Sequence, residues 1–260
     1  MSIHSKHREE TLLHHLLHDG ALDVEQMAAN LGVSPSTIRR DLHGLEVKGL
    51  LRRTHGGAVP VEVQLYEPFR YNASFQHQES VRSNEKRRIG LAAADLVQQG
   101  QIVAISAGTT ATHVARCLRN RVDITIVTNA VNIAMELSHC TGVSVICTGG
   151  HLSGSWFSLL GPSAVQTVEE FNYDWAFIGL DGIHASSGAT SNHQEEAAVN
   201  RAMAAKAHRA VAVADYSKLE KVARAHVCPI NALSLLITDT NAQAPILNQY
   251  EACGLEIKVV

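Results

Sequence analysis

The feature that most constrains this chain is the stretch Ser34-Pro35-Ser36-Thr37-Ile38-Arg39-Arg40-Asp41-Leu42-His43-Gly44-Leu45. Ser34 suits an N-cap and Pro35 the first helical position, so a helix is expected to begin here. Ile38, Leu42 and Leu45 recur at spacings of four and three, which places them on one buried stripe. The other side carries Ser36, Arg39, Arg40 and His43. Guanidinium groups can fork onto guanine O6 and N7, and hydroxyls can reach phosphates or base edges, so this face fits a DNA major groove. Taken alone, the helix reads better as an ordinary amphipathic surface helix with two solvated arginines. The flanking residues decide between the two.

Two helical segments precede it. The first is expected from about Lys6 to His18, with Leu12, Leu13, Leu16 and Leu17 as its apolar stripe and Gly20 just past its end. The second runs from about Asp23 to Leu31, where Asp23 and Gln26 have capping-box spacing. Gly32 then turns the chain into the arginine helix, giving a helix-turn-helix buttressed by a third helix. Beyond it, Gly49 to Val59 reads as a strand, a Gly56-Gly57 turn and a returning strand, a wing that offers Arg52 and Arg53 to a phosphate backbone. The candidate DNA-contacting residues are therefore Ser36, Thr37, Arg39, Arg40, His43, Arg52 and Arg53.

Charge supports this only locally. The chain has a formal net charge of -3, and residues 1–57 hold seven Lys/Arg against seven Asp/Glu. Residues 36–57, however, hold five basic groups against two acidic ones. Such a patch binds phosphates in a salt-dependent way without a basic domain around it.

The length of 260 residues suffices for one small and one medium domain. No run approaches the ~20 apolar residues of a membrane span, and the N-terminus lacks an apolar signal segment, so a cytoplasmic location is expected. The five cysteines (Cys117, Cys140, Cys147, Cys228, Cys253) include no C-x-x-C pair. Buried free thiols are expected, with no disulfide framework, zinc site or cofactor. The histidines His14, His15 and His18 of the first helix are expected at the surface.

Residues 60–82 lack periodicity and read as an interdomain link, although Tyr66, Phe69, Tyr71 and Phe75 suggest that it packs on something. A helix is expected at about 85–98. From there, apolar β-branched runs alternate with helical candidates near 110–118, 130–138, 162–170, 193–207 and 242–250. The runs are Ile102–Ile105, Ile124–Val127, Val143–Cys147, Trp175–Leu180, Ala210–Ala214, Leu233–Thr238 and Leu255–Val260. Strands without polar alternation, separated by helices, predict a parallel sheet covered on both faces. Small or polar groups follow each strand, and in open parallel sheets these loops share the edge where ligands bind. Any one loop is explained by capping and turn formation; the set together favours a pocket. Ala107-Gly108-Thr109-Thr110 is the strongest: glycine allows close backbone approach, and the following helix offers free N–H groups to a phosphate or carboxylate. Lys218 could supply a cation to the same anion, although a loop lysine is commonly just solvated. There is no G-x-x-x-x-G-K-[ST] and no G-x-G-x-x-G, so neither a nucleoside triphosphate nor a dinucleotide is expected.

The run Val33 to Leu42, followed by Leu51-Arg52-Arg53-Thr54-His55-Gly56-Gly57-Ala58, resembles the N-terminal signature of the DeoR family of bacterial transcription regulators. The resemblance continues through Glu85-Lys86, Gly108-Thr109-Thr110, Thr128-Asn129, Gly149-Gly150, Asp174 to Gly179, Ala202-Met203, and Asp215 with Ser217-Lys218. It implies a winged helix-turn-helix domain (1–59), a linker (60–82) and an α/β effector domain (83–260) similar in fold to ribose-5-phosphate isomerases and glucosamine-phosphate deaminases. It further implies a homo-oligomeric repressor of a carbohydrate-catabolism operon that senses a phosphorylated sugar. By the resemblance, Gly108, Thr109, Thr110 and Lys218 hold the phosphate, with Ser106 beside them, and Asn129, Gly149, Gly150 and Asp181 line the sugar end. The chain departs from the family at Ser106, where an Asp is common, and at Asn200, where a Lys is common.

Two other classes compete. A sugar-phosphate isomerase or deaminase would use Asp174, Asp181, Glu195 or Glu196 as acid and base, yet no His, Cys or Ser is placed with a base as a nucleophile would require. A purely structural DNA-binding protein leaves the α/β domain unexplained.

Overall fold

The computed structural model describes residues 3–47, 50–60, 73–154 and 156–260. The chain divides into two compact units, residues 1–67 and 68–260.

The smaller unit contains helices α1 (Ile3–Asp19), α2 (Val24–Leu31) and α3 (Pro35–Val47), and strands β1 (Leu22–Asp23), β2 (Leu51–Arg53) and β3 (Gly57–Pro60). The strands form an antiparallel sheet in the order β1-β3-β2. Helix boundaries follow their caps. The Asp23 carboxylate accepts from Gln26 N at 2.9 Å, Gly32 closes α2 in the left-handed conformation, and Ser34 Oγ accepts from Thr37 N at 3.3 Å. Leu12 and Leu16 of α1 meet Val24 and Met27 of α2, Ile38, Leu42 and Leu45 of α3, and Leu51 of the wing in one core. At roughly 1.5–3 kcal/mol for each fully buried aliphatic side chain, the α3 stripe alone supplies much of what holds that helix in place. A second tie is polar: Arg8 forks onto the buried Asp41 carboxylate, Nε to Oδ2 at 2.5 Å and Nη2 to Oδ1 at 3.1 Å.

The larger unit begins with α4 (Ala73–Ser80) and α5 (Ser83–Ala94). Helix α4 lies in the stretch expected to be an aperiodic link. Its Phe75 is fully buried and meets Phe157 edge-to-face at 5.2 Å; Tyr66, Phe69 and Tyr71 lie outside the described residues. There follow β4 (Ile102–Ile105), α6 (Thr109–Leu118), β5 (Ile124–Thr128), α7 (Val131–Leu137), β6 (Val143–Cys147) and a hairpin of β7 (His151–Ser153) and β8 (Ser158–Leu160). Next come α8 (Pro162–Glu169), β9 (Tyr173–Gly179), β10 (Gly182–His184), β11 (Gly188–Ser191), α9 (Gln194–Lys206) and β12 (Ala207–Val213). The unit closes with β13 (Ala225–Cys228), β14 (Leu235–Thr238), α10 (Ala244–Ala252) and β15 (Glu256–Val259).

Seven parallel strands form the central sheet in the order β15-β14-β12-β9-β4-β5-β6. They include all seven runs read as strands from the sequence. Alternate residues bury on opposite faces. Ala176 and Ile178 of β9 join Val168, Met203 and Tyr250 in one core, while Phe177 joins Ile89, Val114 and Ile133 in the other. The hairpin and the antiparallel set β10-β11-β13 were not expected; the hairpin bridges to Ala130, just past the end of β5, and β10 directly follows β9.

The thiols depart from expectation. Cys228 is buried, Cys117 and Cys140 are half-buried, and Cys147 and Cys253 are exposed, all of them free.

Candidate functional site

In the smaller unit, α3 turns Ser36, Arg39, Arg40 and His43 to solvent, with Thr37 half-buried. Ser34 Oγ lies 2.8 Å from Ser36 Oγ and 2.9 Å from Thr37 Oγ1, a small hydroxyl cluster at the helix start. Arg39 Nη2 reaches Glu25 of α2 at 2.9 Å, but its side chain remains 58% exposed. A pair of this kind is worth roughly 0–1 kcal/mol, so the guanidinium is only loosely held by Glu25. Arg40 and Arg52 are exposed and have no ion-pair partner among the described residues. Arg53, read from the sequence as a second backbone contact, is instead engaged by Glu46: Glu46 Oε2 accepts from its Nε at 2.8 Å and Oε1 from its backbone N at 2.9 Å. Both bonds to Arg53 hold the Glu46 carboxyl below the usual range. Among the described residues, the cations of this face without an ion-pair partner are thus Arg40 and Arg52, with Arg39 loosely held.

In the larger unit the chain order reverses at the centre of the sheet. From β4 it runs outward through β5 and β6, then returns to β9 on the other side of β4. The carboxyl ends of β4 and β9 therefore diverge, and a crevice opens between their loops. Ala107, Gly108, Thr109 and Thr110 line it from β4, and Gly179, Leu180 and Asp181 from β9. Gly108 has φ +126° at the N-cap of α6, a conformation that favours glycine and leaves the first amides of the helix uncovered. The helix dipole adds positive potential at the same point.

Lys218 reaches the cleft from the short 3-10 turn Tyr216–Lys218. Two buried aspartates hold that turn: Asp215 accepts from Ser217 N at 3.0 Å and Asp239 from Tyr216 N at 2.7 Å. The Lys218 ammonium stands 4.0 Å from Asp181. Asp181 is further held by Asn192 N at 2.8 Å and by Ser191 Oγ at 3.3 Å. Ser191 Oγ lies equally 3.3 Å from Glu196 Oε2, whose pKa is raised, chiefly by burial. The cleft therefore has a cationic end built from α6 and Lys218 and an acidic side built from Asp181 and Glu196. It is partly open to solvent, with a cavity volume of about 90 Å³.

The structure separates the remaining residues read from the sequence. Ser106 is fully buried; its hydroxyl accepts from Gly179 N at 2.9 Å and clamps β4 to β9. Asn129 lines the cleft, but its side chain ties loops together, accepting from Ala107 N at 3.1 Å and donating to Leu159 O at 3.2 Å. Gly149 and Gly150 lie outside the cleft. A Cβ on Gly150, at φ +122°, would meet Leu160 O at 2.3 Å, so this glycine serves the close packing of the hairpin. Of the carboxylates considered as acid and base, Asp174 accepts from Ile102 N at 2.8 Å near the opposite end of β9, and Glu195 pairs with His151 at 3.3 Å; neither lines the cleft. Asp181 and Glu196 do. The lining residues that sequence reading missed include Gln78, Trp156, Ser191, Asn192 and His193. Among the described residues no group of three His, Cys, Asp or Glu side chains could hold a metal ion, and no helix is long and apolar enough to cross a membrane.

A winged helix-turn-helix unit followed by a parallel α/β unit with a polar cleft defines a class, the DNA-binding transcriptional regulators that carry a sensor domain. Residues 8–64 match the DeoR-like helix-turn-helix domain and residues 81–240 the DeoR C-terminal sensor domain, and the chain belongs to the DeoR family. It is 31% identical to the putative aga operon transcriptional repressor of Escherichia coli O157:H7 over 97% of this chain and 93% of that one. It is 33% identical to the transcriptional repressor GlcR of Bacillus subtilis over 99% and 97%, and 36% identical to the regulator GlpR of Haloferax volcanii over 90% and 89%. Among solved structures, ribose 5-phosphate isomerase A of Methanocaldococcus jannaschii aligns with a TM-score of 0.39 at 18% identity, over 52% of this chain and 53% of that one.

Proposed function

We propose that this regulator represses a carbohydrate-catabolism operon and that a phosphorylated sugar, bound in the cleft of the larger unit, modulates its hold on the operator. In this reading residues 1–59 bind DNA, 60–82 link, and 83–260 bind the effector. The observation that carries it is the cationic end of the cleft: the start of α6, with Thr109 and Thr110, and Lys218 line the same cleft, a setting suited to a phosphate. The opposite side, with Asp181, Ser191, Asn192 and Glu196, offers acceptors and donors to sugar hydroxyls. The names of the relatives, which are repressors and regulators, support the direction of control. On DNA, Arg39 and Arg40 of α3 read base edges, Ser36, Thr37 and His43 assist them, and Arg52 contacts the backbone. Arg53 joins only by releasing Glu46. Operators are read as paired half-sites, so the working form is a homo-oligomer in the cytoplasm.

Catalysis is the second reading, favoured by the placement of Asp181 and Glu196 in one cleft. The regulator reading requires that purified protein turn over neither phosphorylated aldoses nor amino sugars. The primary test is a thermal-shift screen of sugar phosphates. A ligand at a hundredfold its Kd adds about 2.7 kcal/mol, and a hit should also change operator affinity. A full panel without a stabilising compound would remove the sugar-phosphate assignment.

A further inference from the structure

Helix α4 stands where the chain enters the larger unit, and it forms part of the cleft. Gln78 lines the cleft, and its backbone carbonyl accepts a hydrogen bond from Lys86 Nζ of α5. Phe75 packs on Phe157, whose neighbour Trp156 is another lining residue. Glu79 meets Arg116 Nη1 at 2.5 Å, and Arg116 also forks onto Glu136 of α7, with both bonds at 2.8 Å. Arg116 belongs to α6, the helix whose N-terminus forms the cationic end of the cleft. The last turn of α4 is therefore tied to the cleft by its wall, by a buried lysine and by the anion-facing helix.

Lys86 is 3% exposed. The charges acting on it are Asp215 and Glu79, which favour its ammonium form, and Lys218 and Arg82, which oppose it. Arg82 stands 3.8 Å from Asp215 with its guanidinium 5.0 Å above the Tyr216 ring. The charge of Lys218, which faces the cleft, thus opposes that of Lys86, which holds α4.

We propose that α4 is the output element of the cleft: an anion held by Thr109 and Lys218 offsets the repulsion on Lys86, strengthens its bond to Gln78 O and orders the end of α4. The chain N-terminal to α4 leads to the smaller unit. This rests on the anion-binding reading of the cleft, from which its test must be separable. A ligand shifts a conformational equilibrium only by its differential interaction with the two states; here that interaction is the one between the bound anion and the Lys218–Lys86 pair.

The test is amide hydrogen exchange on the full chain with inorganic phosphate, against chloride at matched ionic strength. The expected result is slower exchange in two segments, residues 107–112 and residues 74–81, by roughly severalfold each, with residues 256–259 unchanged. Lys86→Met should keep the response at 107–112 and lose it at 74–81. Protection at 107–112 without any at 74–81 overturns the proposal and leaves the cleft assignment standing. An undiminished response at 74–81 in Lys86→Met also overturns it. No response at 107–112 removes the anion site and the proposal with it. Should Lys86→Met fail to fold, the wild-type comparison and Gln78→Ala, which strips the cleft wall without touching the buried lysine, decide the matter.

Discussion

The two units carry their function in opposite ways. In the smaller one most of the candidate contacts sit on a single helix: the stripe Ile38, Leu42, Leu45 is sunk in the core and the opposite face is left in water. In the larger one no element holds the site alone. The ends of β4, β9 and β11, the start of α6, helix α9, the hairpin and a 3-10 turn each contribute one wall. Charges on the first surface are solvated and loosely paired, while those of the second lie among buried partners, where Glu196 is pushed up and Lys86 is pushed down to about 8. A solvated face can compete for a polyanion by direct substitution of ion pairs. A half-buried cleft responds to one bound charge through its neighbours.

The largest break in this comparison is expected from Arg39→Ala with Arg40→Ala. At about 1–3 kcal/mol for each lost bidentate contact, operator affinity should fall on the order of a hundredfold, read by fluorescence anisotropy at fixed salt. The cleft's response to phosphate should be untouched.

Next is Asp41→Ala, which strands Arg8 beside the α3 core. Removing one partner of a buried pair costs roughly 3–5 kcal/mol, and the partial exposure of Arg8 places this case at the lower end or below. Hydrogen exchange in residues 12–45 should accelerate while that in residues 102–128 stays constant.

Thr109→Val together with Lys218→Ala probes the other unit. Each hydrogen bond to a charged group is worth about 1.5–3 kcal/mol, so affinity for the sugar phosphate that stabilises the protein should drop at least tenfold by calorimetric titration. Operator binding without ligand should persist.

Lys86 gives a pH signature. Its pKa in the folded chain is lowered from 10.5 to about 8, chiefly by burial. Between those values the unfolded chain binds the proton that the folded one has released. Its contribution to stability therefore rises with pH from about 8 to 10.5, and the cost is fully present below 8. Chemical denaturation of wild type against Lys86→Met should show that slope in the wild type alone.

Arg53→Ala is the smallest perturbation. Because Glu46 already occupies that guanidinium, DNA affinity should change by less than about 1 kcal/mol, well below the effect of Arg40→Ala.

The same contrast explains what the sequence could tell. Helix α3 and its exposed face were legible because helical period and caps are local, and Ser34, Pro35 and the three apolar residues lie within one short window. The parallel sheet was legible because its strands are buried on both faces, as Val211 and Ala212 of β12 are, and so read as uninterrupted apolar runs. The Gly108 loop and Lys218 carried a chemical signal of their own. Gln78, Trp156 and His193 did not, because the hairpin strands of three residues are too short to show a period, and α4 has little amphipathic pattern. Gly149 and Gly150 resembled a ligand loop, but neither lines the cleft, and Gly150 answers to the close approach of Leu160, a contact no local pattern displays. A signal for the antiparallel set does exist in retrospect: Gly182-Ile183-His184 and Gly188-Ala189-Thr190 flank a short turn containing Ser186 and Ser187.

The most direct test of the whole account is operator affinity measured with and without a sugar phosphate that demonstrably stabilises the protein. The account predicts that ligand changes affinity for DNA and that DNA changes affinity for ligand by the same factor, as linkage requires. A ligand that binds the cleft and leaves operator affinity unchanged would contradict it.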